Sequence, residues 1–193
     1  MREEDEGGRG GAVAETERLI VREWADTPAD VDRTFDIYRR DEVTRWLGMP
    51  VPLATREQAQ AAVVRRVEGY AAQPGYGLWA VQVRGSGLVA GSVALKPLPE
   101  PDDGVPGAGE VEIAWHLHPD SWGRGYATEA ARALLGYAFT RLALPEVHAI
   151  AKPDNAPSLA VMRRLGMTHL GRTARWYAMP AEHYVAHPAA LTP

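Results

Sequence analysis

A chain of 193 residues is long enough for one domain with a substantial core. Its 46% hydrophobic and 24% charged residues are the balance of an ordinary globular protein, and a net charge of −4 argues against a nucleic-acid partner. With no cysteine, disulfides, Cys-ligated zinc and thiol nucleophiles are excluded.

Residues 1–14 are acidic and glycine-rich with no apolar stretch. They predict a disordered tail rather than a secretion signal, ahead of a single domain over 15–193. No run approaches the ~18 apolar residues of a membrane helix. A cytoplasmic protein without membrane contact is expected.

"RLIVREW" (18–24) alternates and is β-branched, a strand pattern. "TPADVDRTFDIYRR" (27–40) opens on Thr-Pro and spaces Val31, Phe35 and Tyr38 as one helical face. A second helix is predicted over 55–73, with Thr55 and Gln58 as a capping box. The connection between them, "WLGMPVPLA" (46–54), is apolar and proline-containing, as covering loops often are.

"LWAVQVR" (78–84) and "LVAGSVALK" (88–96) form a hairpin across "GSG". An acidic Pro/Gly-rich surface loop (97–109) follows. The strand "EVEIAWHL" (110–117) then turns Val111, Ile113, Trp115 and Leu117 to one side and Glu110, Glu112, Ala114 and His116 to the other. "HPDSWGRGYATEA" (118–130) leads into a helix that aligns Ala127, Ala131, Leu134, Leu135, Ala138 and Leu142. A strand (146–152), a helix (155–166) and two closing strands (169–179 and 182–186) complete the order β-α-α-β-β-β-α-β-α-β-β. This is one mixed α/β domain without repeats.

A strand, a glycine loop and a helix start point backbone N–H groups at one spot, where the helix dipole adds positive charge: an anion site. A tight turn needing glycine for steric reasons alone is the competing reading. The loop has no Gly-Lys-Ser/Thr, so it is not an NTP-binding loop. Thr128 stands where a dinucleotide loop needs its third glycine, and no acidic partner ends the next strand.

"WGRGYATEA" after "EVEIAWHL", followed by "KPDNAPSLAVMRRLGM" (152–167) and preceded by "ETERLIVREW" (15–24), resembles the GNAT superfamily of N-acetyltransferases. Within it, the chain is similar to the branch of ribosomal-protein N-terminal alanine and serine acetyltransferases. The resemblance runs over about residues 15–187. It implies a twisted, largely antiparallel sheet with one splayed parallel strand pair, flanked by about four helices. The family loop is Q/R-x-x-G-x-G/A; Gly125 and Ala127 match, and Trp122 replaces the first residue.

The resemblance implies acetyl-CoA as co-substrate. Its pyrophosphate would lie on backbone N–H groups of Gly123, Arg124, Gly125, Tyr126, Ala127 and Thr128. Its pantetheine arm would add to the strand edge at Trp115, His116 and Leu117. Asn155 would contact the cofactor near the thioester, although a helix cap explains it equally. Ser158, matching the branch's serine, would protonate the departing thiolate; this helix lacks the tyrosine that many members use, so Ser158 or water must serve.

An amine attacks a thioester only when unprotonated, so a base is needed. Glu112 matches the strand glutamate that this branch uses, and a plain surface carboxylate is the alternative. His116 is a second candidate base, about 13 Å along the strand from Glu112 at the usual rise. His116 and His118 could share a face as metal ligands do, but no third ligand is evident and no metal is expected. Trp46, Trp176 and Tyr177 are candidates for holding a cationic amine, against plain core packing.

The reading is an N-acetyltransferase acting by direct attack in a ternary complex. Its acceptor would be a protein N-terminus or a small-molecule amine, and the chain a monomer or homodimer. The alternative is a non-catalytic acyl-CoA-binding module on the same fold.

Overall fold

The computed structural model describes residues 11–47 and 51–191. Its elements are β1 (Ala12–Glu15), β2 (Leu19–Arg22), α1 (Pro28–Tyr38), α2 (Asp41–Thr44), α3 (Arg56–Ala72), β3 (Gly77–Val83), β4 (Val89–Pro97), β5 (Val111–Leu117), α4 (Tyr126–Thr140), β6 (Val147–Ala151), α5 (Ala156–Arg164), β7 (Thr168–Thr173) and β8 (Ala181–Ala186). The strands form one sheet in the order β1-β2-β3-β4-β5-β6-β8-β7. All neighbours are antiparallel except β5 and β6.

The helices start where the sequence supplies caps. The Thr27 side chain accepts from Asp30 N with Pro28 in the first turn of α1, and Thr55 accepts from Gln58 N in α3. Gln58 reaches back to Ala54 N at 2.7 Å, one residue earlier than an ideal capping box. On one sheet face α4 and α5 bury Leu134, Leu135 and Met162 against Val93, Leu95 and Ile113. Each side chain of this size contributes about 1.5–3 kcal/mol by leaving water. On the other face Trp24, Ile37 and Tyr38 pack under α1, and α3 lies against α1 through Val31, Ala59 and Val63.

Three expectations are corrected, and one lies partly outside the described residues. The tail predicted over 1–14 is too long, because Ala12–Glu15 pairs with β2 as an edge strand; residues 1–10 lie outside the described residues. The connection after α1 contains α2, a single turn too short for helical periodicity to reveal. Residues 48–50 of the predicted covering loop lie outside the described residues. The strand predicted over 169–179 stops at Thr173, so Trp176 and Tyr177 lie in the turn before β8. That turn holds Tyr177 at φ 63° and Ala178 at φ 47°. Two successive non-glycine residues at positive φ are costly and persist only where contacts enforce them.

The enforcing contacts come from the acidic loop between β4 and β5. Asp102 N donates to Arg175 O at 2.7 Å, and the Asp102 carboxylate accepts from Ala178 N at 2.7 Å. The loop therefore straps the turn rather than standing free in solvent.

Gly91 fixes the approach of β4 to β5. A Cβ there would lie 2.2 Å from His116 O and 2.6 Å from Leu117 Cα, both backbone atoms that cannot swing away. Gly91→Ala is expected to destabilise the fold by about 1–3 kcal/mol through overpacking. For a domain of this size that lowers Tm by about 2–4 °C per kcal/mol in thermal unfolding. An unchanged Tm would refute the close-approach argument.

Candidate active site

β5 and β6 share one registered pair, Glu112 opposite His148, and diverge beyond it. The chain after β5 makes a short 3-10 turn at Pro119–Ser121, passes the glycines and enters α4. Gly123 and Gly125 both have positive φ, 72° and 80°. Gly125 caps α4 with no side-chain hydrogen bond, so the first N–H groups of the helix are left for a ligand. Nothing lies within 4 Å of a Cβ built on Gly123. Gly123 therefore serves backbone conformation there, not packing.

Arg18 stands beside this loop. Its guanidinium donates to Glu129 Oε2 at 2.7 Å and to Arg124 O at 3.2 Å, and lies 5.2 Å over the Tyr126 ring. A second group of contacts ties the turn before the loop to α1. His118 Nε2 lies 3.0 Å from Asp36, His118 Nδ1 lies 2.9 Å from Asp120, and Arg33 bridges Asp36 and Asp120. Burial alone would raise the Asp120 carboxyl. Hydrogen bonds from Ser121, Arg33 and His118 and the Arg33 charge outweigh it and push it down to about 2. Asp36 also sits below the usual carboxylate range. Burial opposes that shift, and Arg40, His118 and Arg33 overcome it.

A cleft of about 1280 Å³ runs from Arg18 and Gly125 past Trp115, His116 and Ser158 to Trp46 after α2. His118 N donates to Ala90 O on β4, and Ser92 is the direct partner of His116. Strand alternation then turns the backbone groups of His116 toward β4, and those of Trp115 and Leu117 toward the cleft. Of the three residues predicted to offer a main-chain edge, His116 offers its side chain instead. The Leu117 carbonyl is engaged by the Trp122 indole N–H at 2.8 Å. The non-matching Trp122 thus braces the strand end.

Asn155 caps α5 by accepting from Ser158 N at 3.3 Å, and both residues line the cleft. Trp115 donates its indole N–H to Ser158 Oγ at 3.2 Å, which leaves the Ser158 proton free to point into the cleft. His116 Nδ1 lies 3.2 Å from Tyr38 OH. Burial first, then the Arg66 and Lys96 charges, push the His116 imidazole down to about 3, so it is neutral near pH 7.

Glu112 is 5% exposed and does not line the cleft. Tyr177 OH donates to it at 2.6 Å, and Lys96 Nζ lies 3.3 Å away and donates to Tyr177 OH at 2.9 Å. Burial, the Glu112 charge and this hydrogen bond raise the Tyr177 phenol well above its usual range. The cation over the Tyr177 ring is Lys96, at 5.0 Å. Trp176 is buried edge-on against His183, away from the cleft. Of the three aromatics predicted to meet an amine, only Trp46 lines the cleft, and the Arg45 guanidinium lies 4.9 Å over its ring. Among the described residues, no group of three or more His, Asp or Glu side chains is placed to hold a metal ion. No described helix is long and apolar enough to cross a membrane.

The family model for the acetyltransferase (GNAT) domain matches residues 18–168. The chain belongs to the GNAT acetyltransferase family. An uncharacterised N-acetyltransferase of Bacillus subtilis, YoaA, is 26% identical over 159 residues, covering 82% of this chain and 84% of that one. The FsC-acetyl coenzyme A-N(2)-transacetylase of Aspergillus fumigatus is 33% identical over 108 residues, 55% of this chain and 45% of its own. An acetyltransferase structure from Agrobacterium tumefaciens superposes with a TM-score of 0.73 at 26% identity over 96% of this chain and 99% of that one. The ribosomal L7/L12 α-N-protein acetyltransferase RimL shares the fold, with a TM-score of 0.73 at 15% identity over 92% and 94% of the two chains.

In this GNAT domain the cleft brings together the predicted loop, Trp115, Asn155 and Ser158. Tyr177, expected to meet an amine, covers Glu112 instead, and the contacts of Arg18, Tyr38 and the His118 network escaped sequence reasoning. Only Arg18 had a local signal, as the first residue of a strand pattern. The others depend on pairings 54 to 87 residues apart in the chain, such as Tyr38 with Ser92 and Arg33 with Asp120.

Two outcomes follow from the loop geometry. Arg18→Ala is expected to weaken CoA binding in calorimetry, with the loss larger at low than at high ionic strength. Asp120 has a depressed folded-state value, so its stabilisation is complete above about pH 4, its ordinary range, and fades as pH falls through about 2. The stability difference between wild type and Asp120→Asn should therefore be flat above about pH 4 and shrink toward pH 2. A difference independent of pH would exclude an ionised Asp120 tether.

Proposed function

We propose that the protein transfers an acetyl group from acetyl-CoA to a primary amine in a ternary complex. The observation that carries this is the single cleft linking an uncapped, glycine-opened helix start to the exposed edge of β5 and on to Trp46. Such a shape suits a long ligand with a phosphate at one end and a reactive group in the middle.

Acetyl-CoA supplies an activated acyl thioester. The loop N–H groups from Gly123 to Thr128 hold its pyrophosphate, with Arg18 beside them. Backbone groups of Trp115 guide the pantetheine arm, and Asn155 lies near the thioester. Ser158, fixed by the Trp115 indole, returns a proton to the leaving sulfur. Glu112 takes the proton of the attacking amine through water, once Tyr177 and Lys96 make way. The negative charge of Glu112 and the aromatic wall at Trp46 suit a cationic amine, either a protein N-terminus or a small molecule. The RimL likeness supports the former and the transacetylase likeness the latter.

A second reading has one observation in its favour. Glu112 is already covered by Tyr177 and paired with Lys96, as it would be in a module that binds acyl-CoA without catalysis. A thiol-release assay with acetyl-CoA across amines and peptides separates the two. Catalysis predicts turnover, lost by about 10²-fold in kcat/KM for Glu112→Gln. Tight CoA binding with no turnover across the panel would favour the module. Trp46→Ala should raise KM for the amine and leave KM for acetyl-CoA unchanged.

A further inference from the structure

We propose that His116 serves in acyl transfer as a neutral hydrogen-bond donor to the acyl oxygen rather than as a base, with Ser92 and Tyr38 fixing the tautomer that makes it one. This rests on the acetyl-transfer reading above.

Ser92 and His116 face each other across β4 and β5, so their side chains leave the same face of the sheet. Tyr38, at the end of α1, drops onto both. Its hydroxyl is 3.0 Å from Ser92 Oγ and 3.2 Å from His116 Nδ1, and its ring meets the imidazole edge-on with centroids 6.0 Å apart. Ser92 is fully buried and Tyr38 is 3% exposed, so water does not compete for these hydroxyls. The Arg66 guanidinium covers the outer face of the Tyr38 ring at 4.9 Å. Gly91, opposite on β4, lets the two strands approach closely at His116: a Cβ there would lie 2.2 Å from His116 O.

Counting protons selects the direction of this chain. Among the described residues, the Ser92 hydroxyl has Tyr38 as its partner and no other. A buried hydroxyl proton without an acceptor is costly, so Ser92 donates to Tyr38. Tyr38 has one proton, which must then go to His116 Nδ1. In a neutral imidazole the nitrogen that accepts leaves the proton on the other. Nε2 therefore carries the hydrogen. The reverse chain would strand the Ser92 proton.

His116 Nε2 bonds to no described residue, is not among the buried polar atoms lacking a partner, and belongs to a side chain that lines the cleft. Burial and the Arg66 and Lys96 charges keep the ring neutral and make it a poor proton acceptor. These properties suit a fixed dipole. As the amine nitrogen bonds to the carbonyl carbon, negative charge gathers on the acyl oxygen. The carbon–sulfur bond then breaks with its electron pair on sulfur, which Ser158 or water protonates. The amine proton leaves to water, which can pass it on toward Glu112. His116 donates throughout and keeps its proton, as a preorganised donor needs no rearrangement when the charge appears.

The tautomer is readable without turnover. In ¹⁵N-detected NMR of the unliganded protein near neutral pH, His116 should show a protonated Nε2 and an unprotonated Nδ1. Tyr38→Phe should relax it to a mixture while CoA binding by calorimetry is kept. In the assay, His116→Gln retains an N–H and should keep at least about tenfold more kcat than His116→Leu, given the usual cost of a lost oxyanion donor. A protonated Nδ1 in a protein that does acetylate, or equal losses in the Gln and Leu variants, overturns the proposal alone. The expected tautomer in a protein that acetylates nothing overturns the functional reading, and the donor's role with it.

Discussion

Everything at the site depends on two parallel strands that pair once and then part. Glu112 and His148 hold β5 and β6 together at one end. Past that point, β5 has β4 on one side and open space on the other. Backbone groups there lack a strand partner, and such groups cannot stay unpaired in a dry interior. The fold tolerates the gap because it is a cleft, open to solvent or to a ligand that can supply the missing bonds. The mouth of the gap is also where the helix dipole of α4 ends. Sheet topology thus places a polar edge and a positive pole in one groove.

Holding that groove in shape requires contacts outside it. The His118–Asp36–Asp120–Arg33 group ties the turn ahead of the glycines to α1, and Arg18 ties their far side to Glu129 on α4. The arrangement is divided by chemistry. Main-chain groups, indifferent to side-chain identity, form the end that suits a phosphate. Side chains from α1, β5 and α5 form the neighbouring part of the site, and the β7–β8 turn covers Glu112 behind it. Preorganisation there comes from hydroxyls and indoles with fixed partners, as in Trp115 with Ser158 and Tyr38 with Ser92 and His116.

Much of the architecture was legible in the sequence, because hydrophobic periodicity is a local signal. The run from Val111 to Leu117 and the alanine-leucine face of α4 state their own structure. The glycine loop was legible for the same reason, since positive φ at Gly123 and Gly125 is written in residue type. What escaped was short or distant. α2 is one turn, and β1 hides in a glycine-rich lead. The turn at Trp176 and Tyr177 reads as strand because both are strand-favouring residues. Its contacts with Asp102 override that preference. The cover over Glu112 joins residues 65 apart in the chain, and no local pattern announces such a pair.

The strap across that turn carries an implication for how such a protein diversifies. The segment from Leu98 to Glu110 reads as the least constrained stretch of the chain, rich in proline, glycine and acid. Yet Asp102 grips both sides of the residue whose phenol sits on Glu112. Drift in this outlying segment would be inherited as a change at the carboxylate, with no substitution inside the cleft. A lineage could retune that carboxylate by editing the splint alone, while the glycine loop passes down untouched.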